Sequence, residues 1–352
     1  MIKSKNLFQI FFILLVLIIV GTFIMNILIN HKLYASPSLF QIAAHWSPFI
    51  YQGTINNYDL ITNFNFDGNW NGYDNWENAG KNQYYTNFHA YVYYTIIESD
   101  SHYFITYMFF HPRDTGNPWG LGLYGWAHEN DSEGCRVVIE KDGSNWGRIQ
   151  NIETIAHESY YIYNNPKLIN SSHPAVYVCE RKHAVYGTNK AKGYDCWYLT
   201  GCRIFPSSKG TGVRYWYAGR GAEVPSSLND RDVSYELINM ESTLWAKRFY
   251  NNPYRDCGYF VSGWYNWDEE MQICGCLCSE FGQKFEGDNK DWGAPKCAAR
   301  APWAYPFEIY GYGKWFIDPL MYYGFKHCDG SGEQYISNPY FGYVIGCPSP
   351  CN

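Results

Sequence analysis

The sequence predicts a mainly β protein: a β-sandwich with long loops, plus a disulfide-rich C-terminal extension. Three observations carry that reading. Short β-branched and aromatic runs recur between Gly, Asn and Pro, which is the pattern of strands and their turns. Aromatic residues make up 20% of the 352 residues, with 34 Tyr among them. Beyond the N-terminus, only Tyr235 to Arg248 spaces its apolar residues as a helix would, through Leu237, Leu244 and Trp245.

Taken in order, the chain opens with Leu7 to Ile29, apolar except for Gln9, Gly21, Thr22 and Asn26, and preceded by Lys3 and Lys5. A bilayer span needs roughly 20 such residues, whereas a cleavable h-region has roughly 7 to 15, so the segment reads as a signal anchor with its lysines inside. Cleavage after Leu33-Tyr34-Ala35 is the alternative reading, and either one sends the remainder to an extracytoplasmic compartment, membrane-anchored or secreted. Tyr91 to Ile97 and Tyr103 to Phe110 predict two strands joined by the polar Glu98 to His102. Cys135 to Glu140 predicts another, which Lys141-Asp142-Gly143-Ser144 turns back so that Gly147 to Ala156 returns antiparallel. Ala175 to Cys179 and Phe307 to Tyr310 add short strands. The domains follow as 1–35 signal segment, 36–250 sandwich and 251–352 cysteine-rich region, with the last boundary at Phe249 to Pro253.

Twelve cysteines behind an export signal predict disulfides, and eight of them lie from Cys257 onward. Cys274-Gly275-Cys276-Leu277-Cys278 is read the same way rather than as a thiolate metal cluster. A formal charge of −6 with only 17% charged residues argues against binding a phosphate backbone, so no nucleic-acid partner is expected. Neutral partners, a glycan or a lipid headgroup, suit this balance better. No G-x-S-x-G elbow, H-E-x-x-H helix or phosphate-binding G-x-x-x-x-G-K-[ST] loop is present.

Ala127-His128-Glu129-Asn130-Asp131-Ser132-Glu133-Gly134 is the stretch richest in chemistry. On an extended segment Asp131 and Glu133 share a face, and a loop entering a strand could turn His128 toward them. Two carboxylates and an imidazole suit a divalent cation: Mg²⁺, Ca²⁺ or Mn²⁺, or Zn²⁺ if Glu133 is a base instead of a ligand. A solvated polar loop is the plain alternative. In Phe110-His111-Pro112-Arg113-Asp114, His111 and Asp114 end a strand and offer a further ligand, although Pro112 ending the strand explains the same residues. Asp67, Asn69 and Asn71, followed by Gly72, begin like a calcium loop, but Asn78 stands where the twelfth-position glutamate belongs.

The segment from Ala127 to Glu133 resembles the G-H-R-H-D-W-E heptapeptide of the necrosis- and ethylene-inducing-peptide-like proteins. The resemblance implies a β-sandwich and assigns a bound divalent cation to His128, Asp131 and Glu133, while Asn130 and Ser132 depart from the pattern. His173-Pro174-Ala175-Val176-Tyr177-Val178 and His183-Ala184-Val185-Tyr186 resemble the H-P-x-V-Y-V and H-A-x-Y signature of vacuolar-protein-sorting-associated relatives. Thr154-Ile155-Ala156-His157 resembles the family's strand-end histidine, which makes His157 a candidate outer-shell partner, proton donor or base. His183 reads as a structural histidine beside Tyr186.

These residues support a metal-dependent module that recognises a glycan or lipid headgroup and perturbs membranes. A metal-dependent hydrolase of phosphoester or glycan, and a disulfide-stapled surface protein with a protein partner, are the rival readings. Asn170-Ser171-Ser172 is a glycosylation sequon, and a sugar on Asn130 of Asn130-Asp131-Ser132 would obstruct the metal site.

Overall fold

The sandwich follows from two long strands, β3 (His102–Asp114) and β4 (His128–Glu140), whose residues are apolar on both faces, so that their sheet must be covered twice. The computed structural model describes residues 4–31, 36–70, 72–81, 83, 88–115, 128–156, 159–189, 212–247, 284–286, 297–300, 314–327 and 330–340. It divides into two units, Met1–Phe40 and Gln41–Asn352.

In the first unit α1 spans Ser4–His31. Its described side chains, Phe11 to Phe23 and Met25, are exposed, and among the described residues no helix is long and apolar enough to cross a membrane. The rest of the apolar run expected to form a signal anchor lies outside those side chains.

Among its described residues the second unit holds two large sheets and a two-stranded ribbon. One is built from β1 (Phe49–Gly53), β7 (Leu168–Ile169), β8 (His173–Val178), β9 (Val185–Tyr186), β10 (Gly212–Trp216) and β11 (Val233–Ser234) in the order β11-β10-β1-β8-β7, with β9 also on β8. The other is built from β2 (Tyr91–Ser99), β3 (His102–Asp114), β4 (His128–Glu140), β5 (Arg148–Ala156), β6 (Ser159–Tyr163), β12 (Glu236–Asn239) and β15 (Tyr335–Ser337). Its order is β12-β2-β3-β4-β5-β6, and β15 pairs with β2. A ribbon of β13 (Lys284–Glu286) and β14 (Cys297–Arg300) completes the strands.

Between the sheets, Ile105, Tyr107 and Phe109 of β3 and Cys135, Val137 and Ile139 of β4 meet Ile50, Val176, Val178, Val213 and Tyr215. The opposite face of β3 and β4 carries Phe104, Met108, Phe110 and Val138. There Trp315, Phe316, Leu320 and Tyr340 cover it, so residues from beyond 314 supply the sheet's second cover. Trp315 donates its indole N–H to Glu153 at 2.5 Å, and the fully buried Arg136 guanidinium lies 4.2 Å over the Trp315 ring. At Gly134 the strands approach so closely that a Cβ would lie 2.0 Å from the Tyr107 carbonyl oxygen.

Strands β2, β3 and β5 and both predicted turns match the sequence reading, but β4 begins at His128, so the stretch before Cys135 expected as a loop is strand, held by its pairing with β3. Tyr235 to Arg248 does not form the expected helix: Glu236–Asn239 runs parallel to β2, and only Glu241–Trp245 coils, as one wide helical turn. Leu237 is buried through strand pairing, while Leu244 and Trp245 are buried through that turn, which reproduces helical spacing without one continuous helix. Pro112 does not end its strand, because β3 continues to Asp114. Cys135 is a free, buried thiol, a departure from full pairing, whereas Cys179 is disulfide-bonded. The side chains of the eight C-terminal cysteines, the Phe249 to Pro253 boundary and Phe307 to Tyr310 lie outside the described residues.

Candidate functional site

The β3–β4 register builds one end of the inter-sheet space. Phe109 opposes Glu133, His111 opposes Asp131, and Asp114 opposes His128. Directly opposed residues share a face with Cβ atoms roughly 4.5–5.5 Å apart. Glu133 therefore continues the face of Phe109 and Cys135, and Asp131 follows two residues earlier. Both are almost fully buried. Asn130 interrupts the strand with φ 58°. Its amide donates to the Gly72 carbonyl at 2.9 Å and accepts from Asn75 at 2.5 Å, which fixes the backbone just before Asp131.

His183 enters from the other sheet, on the link between β8 and β9. Arg181 and His183 have φ of 69° and 56°, an unusual left-handed pair that folds the link back on itself. The His183 ring lies between two carboxylates: Nδ1 is 2.7 Å from Asp131 Oδ2, and Nε2 is 3.4 Å from Asp59 Oδ1. Its flat face stacks on His111, with centroids 3.7 Å apart and planes within 7°.

Asp59 is held rigidly. It ends a short 3₁₀ turn, Asn57–Asp59, capped by Asn56. Its Oδ2 accepts from the Ile55 and Asn56 amides at 2.8 and 3.1 Å, and Oδ1 accepts from the Arg181 amide at 2.6 Å. Beside this group Lys182 Nζ lies 3.5 Å from Asp114 Oδ2, each side chain 3% exposed.

The two stacked histidines are pushed to opposite protonation states. Burial works against charge on His183, but the hydrogen bonds and negative charges of Asp131 and Asp59 outweigh it and raise its pKa to about 10. Burial and the neighbouring His183 drive His111 well below the ordinary value. A neutral imidazole thus lies flat against an imidazolium.

The structure brings Asp114, Asp131 and Glu133 to the same end of β3 and β4. The backbone of His128 opposes Asp114, while its side chain, like His157 and Asn71, lies outside the described residues. Asp67 accepts hydrogen bonds from Asn69 at 2.8 Å and Asn78 at 2.6 Å, so these amides organise its loop. Among the described residues no three His, Cys, Asp or Glu side chains are grouped to hold a metal ion. Asp59 was not singled out from the sequence, and His183 was read as structural. The available signal for Asp59 was Asn56-Asn57-Tyr58-Asp59, a capping box directly after a strand.

No protein-family model matches the chain, and no curated protein matches it. Among solved structures it is similar to necrosis and ethylene inducing protein 2 from the causal agent of cocoa's witches' broom disease. The identity is 21% and the TM-score 0.30, over 46% of this chain and 73% of that one. The non-toxic HaNLP3 protein gives 17% and 0.29 over 46% and 76%, and NLPPya in complex with mannosamine gives 13% and 0.33 over 70% and 94%. At these values the relation is a distant structural one, without sequence-family support.

Proposed function

We propose that this chain is an extracytoplasmic binding module in which a divalent cation, held at the β3–β4 end of the sandwich, recognises a glycan or a lipid headgroup. The observation that supports this reading is the pair Asp131 and Glu133, nearly buried on one face of β4 opposite His111 and Phe109, with His128 three residues before Asp131 on the same strand. Carboxylate oxygens with one imidazole form a donor set suited to Mg²⁺, Ca²⁺ or Mn²⁺. Asp131 and Glu133 would hold the cation, and His128, whose side chain lies outside the described residues, would complete the set. The cation would supply a positive centre for hydroxyl or phosphoryl oxygens. His183 would act on Asp131 from behind, fixing which carboxylate oxygen turns outward. Residues 1–35 would keep the module at a membrane surface, where headgroup recognition becomes membrane perturbation.

The test measures divalent-metal content of the full chain, made in an oxidising host, beside Asp131→Asn and Glu133→Gln. Metal in the wild type that both variants lose, together with chelator-sensitive binding to a glycan array or to vesicles of defined headgroup, supports the reading. Equal metal content in all three, or none in any, overturns it. Catalytic release of product from a phosphodiester or glycan would move the assignment to a metal-dependent hydrolase.

A further inference from the structure

We propose that Asn170 carries an N-linked oligosaccharide and that the fold reserves Asn130 from the same modification. Two Asn-X-Ser/Thr sequons occur in the chain, Asn130-Asp131-Ser132 and Asn170-Ser171-Ser172. Both would meet the transferase as extended chain during export, so the folded state decides which sugar the protein can tolerate.

The two environments are opposite. Asn130 is 0% exposed, and its side-chain nitrogen, the atom a sugar would occupy, is bonded to the Gly72 carbonyl at 2.9 Å. A glycan there would break that bond, displace Asn75 and need a path out through the packed strand beside Asp131. Asn170 and Ser171 are exposed at the tip of the β7–β8 hairpin, where Ile169 pairs with His173. Their φ angles of 51° and 67° project the loop outward in the left-handed region that Asn tolerates better than most residues. The Ser172 amide closes the turn on the Ile169 carbonyl at 3.3 Å. No described side-chain hydrogen bond engages the Asn170 amide.

In the transfer, the Asn170 side-chain nitrogen attacks the anomeric carbon of a lipid-diphosphate-linked oligosaccharide. The N–C bond forms as the C–O bond to the diphosphate breaks. The lipid diphosphate leaves with the electron pair, and the nitrogen gives up one proton.

The position also has a consequence for the surface. β7 is the edge of its sheet, and a sugar on the next residue shields that edge from pairing with another chain. His183 follows the far end of β8, and the run from His173 to Val178 is roughly 16 Å at about 3.3 Å per residue. The glycan would therefore guard the edge without covering the candidate site.

The experiment is translation of the full chain with endoplasmic-reticulum microsomes, scored by protease protection and by a mass shift that peptide-N-glycosidase reverses. Expression in a eukaryotic host follows, with peptide mapping of the folded protein. The expected result is one glycan in the folded wild type, on Asn170, and none there in Asn170→Asp, in which Asp preserves the left-handed turn. Ser172→Ala, which keeps Asn170 but removes the sequon hydroxyl, should lose it too. A protected wild-type chain with no glycan, a chain that is never translocated, a Ser172→Ala chain still modified at Asn170, or a sugar on Asn130 in folded protein would each overturn the proposal.

Discussion

Replacing His183 with Ala tests the polar centre of the sandwich most directly, because it removes one imidazolium from between two buried carboxylates. Asp59 is 0% exposed and Asp131 4%, so neither can recover its lost partner from water. Removing one member of a buried ion pair costs about 3–5 kcal/mol, chiefly through the charge left behind. Loss of the stack on His111 adds about 0.5–1.5 kcal/mol. The sum, about 4–6 kcal/mol, is a large part of the stability of an ordinary domain. Urea unfolding of the detergent-held full chain, followed by tryptophan fluorescence, reads it out. At a slope near 3 kcal/mol/M, about 5 kcal/mol moves the midpoint down by about 1.7 M. Asp59→Ala should cost less, since His183 retains Asp131 at 2.7 Å. The double variant should lose less than the sum of the two singles, because both report on one interaction. A His183→Ala midpoint within about 0.3 M of the wild type, or strict additivity, would refute the view that these charges depend on one another.

Two further outcomes follow from the packing and from the histidines. Gly134→Ala sets a Cβ against the Tyr107 carbonyl and the Met108 backbone, forcing β4 off β3. The expected loss is about 3 kcal/mol, or about 6–12 °C in Tm by differential scanning fluorimetry, and an unchanged Tm would show that the strands can separate freely there. His173, whose Nδ1–H reaches the Ser47 carbonyl at 2.7 Å, is held below its ordinary pKa of 6.5 by burial; His45, stacked on Trp146, is lowered by burial and by the charge of His173. For groups depressed in the folded state, the unfolded chain binds more protons, so this stability is full above pH 6.5 and is lost as pH falls below it. Tm measured from about pH 7 to 5 should fall less steeply for His173→Gln than for the wild type; parallel curves would remove His173 from the account.

What the sequence determined was local. Tyr91 to Ile97, Tyr103 to Phe110 and Cys135 to Ala156 declare strands and tight turns through residue type, because β-branched and aromatic side chains fit a pleated surface while Asp-Gly accepts the reversal. Period-two alternation likewise put Asp131 and Glu133 on one face before any partner was known. The stretch after Tyr235 was ambiguous for a physical reason: a strand followed by one helical turn buries Leu237, Leu244 and Trp245 at the spacing of a helix, and only pairing with β2 distinguishes the two. Tertiary structure alone decided the partners of the acidic cluster. Asp59 lies 72 positions before Asp131 and 124 before His183 in the numbering, and no local pattern encodes contacts across such separations. They arise because two sheets, each needing apolar cover, close face to face and bring the ends of β1, β4 and β8 together. There, in a space too dry to solvate charge, the imidazole reading as structural becomes the group on which two carboxylates depend.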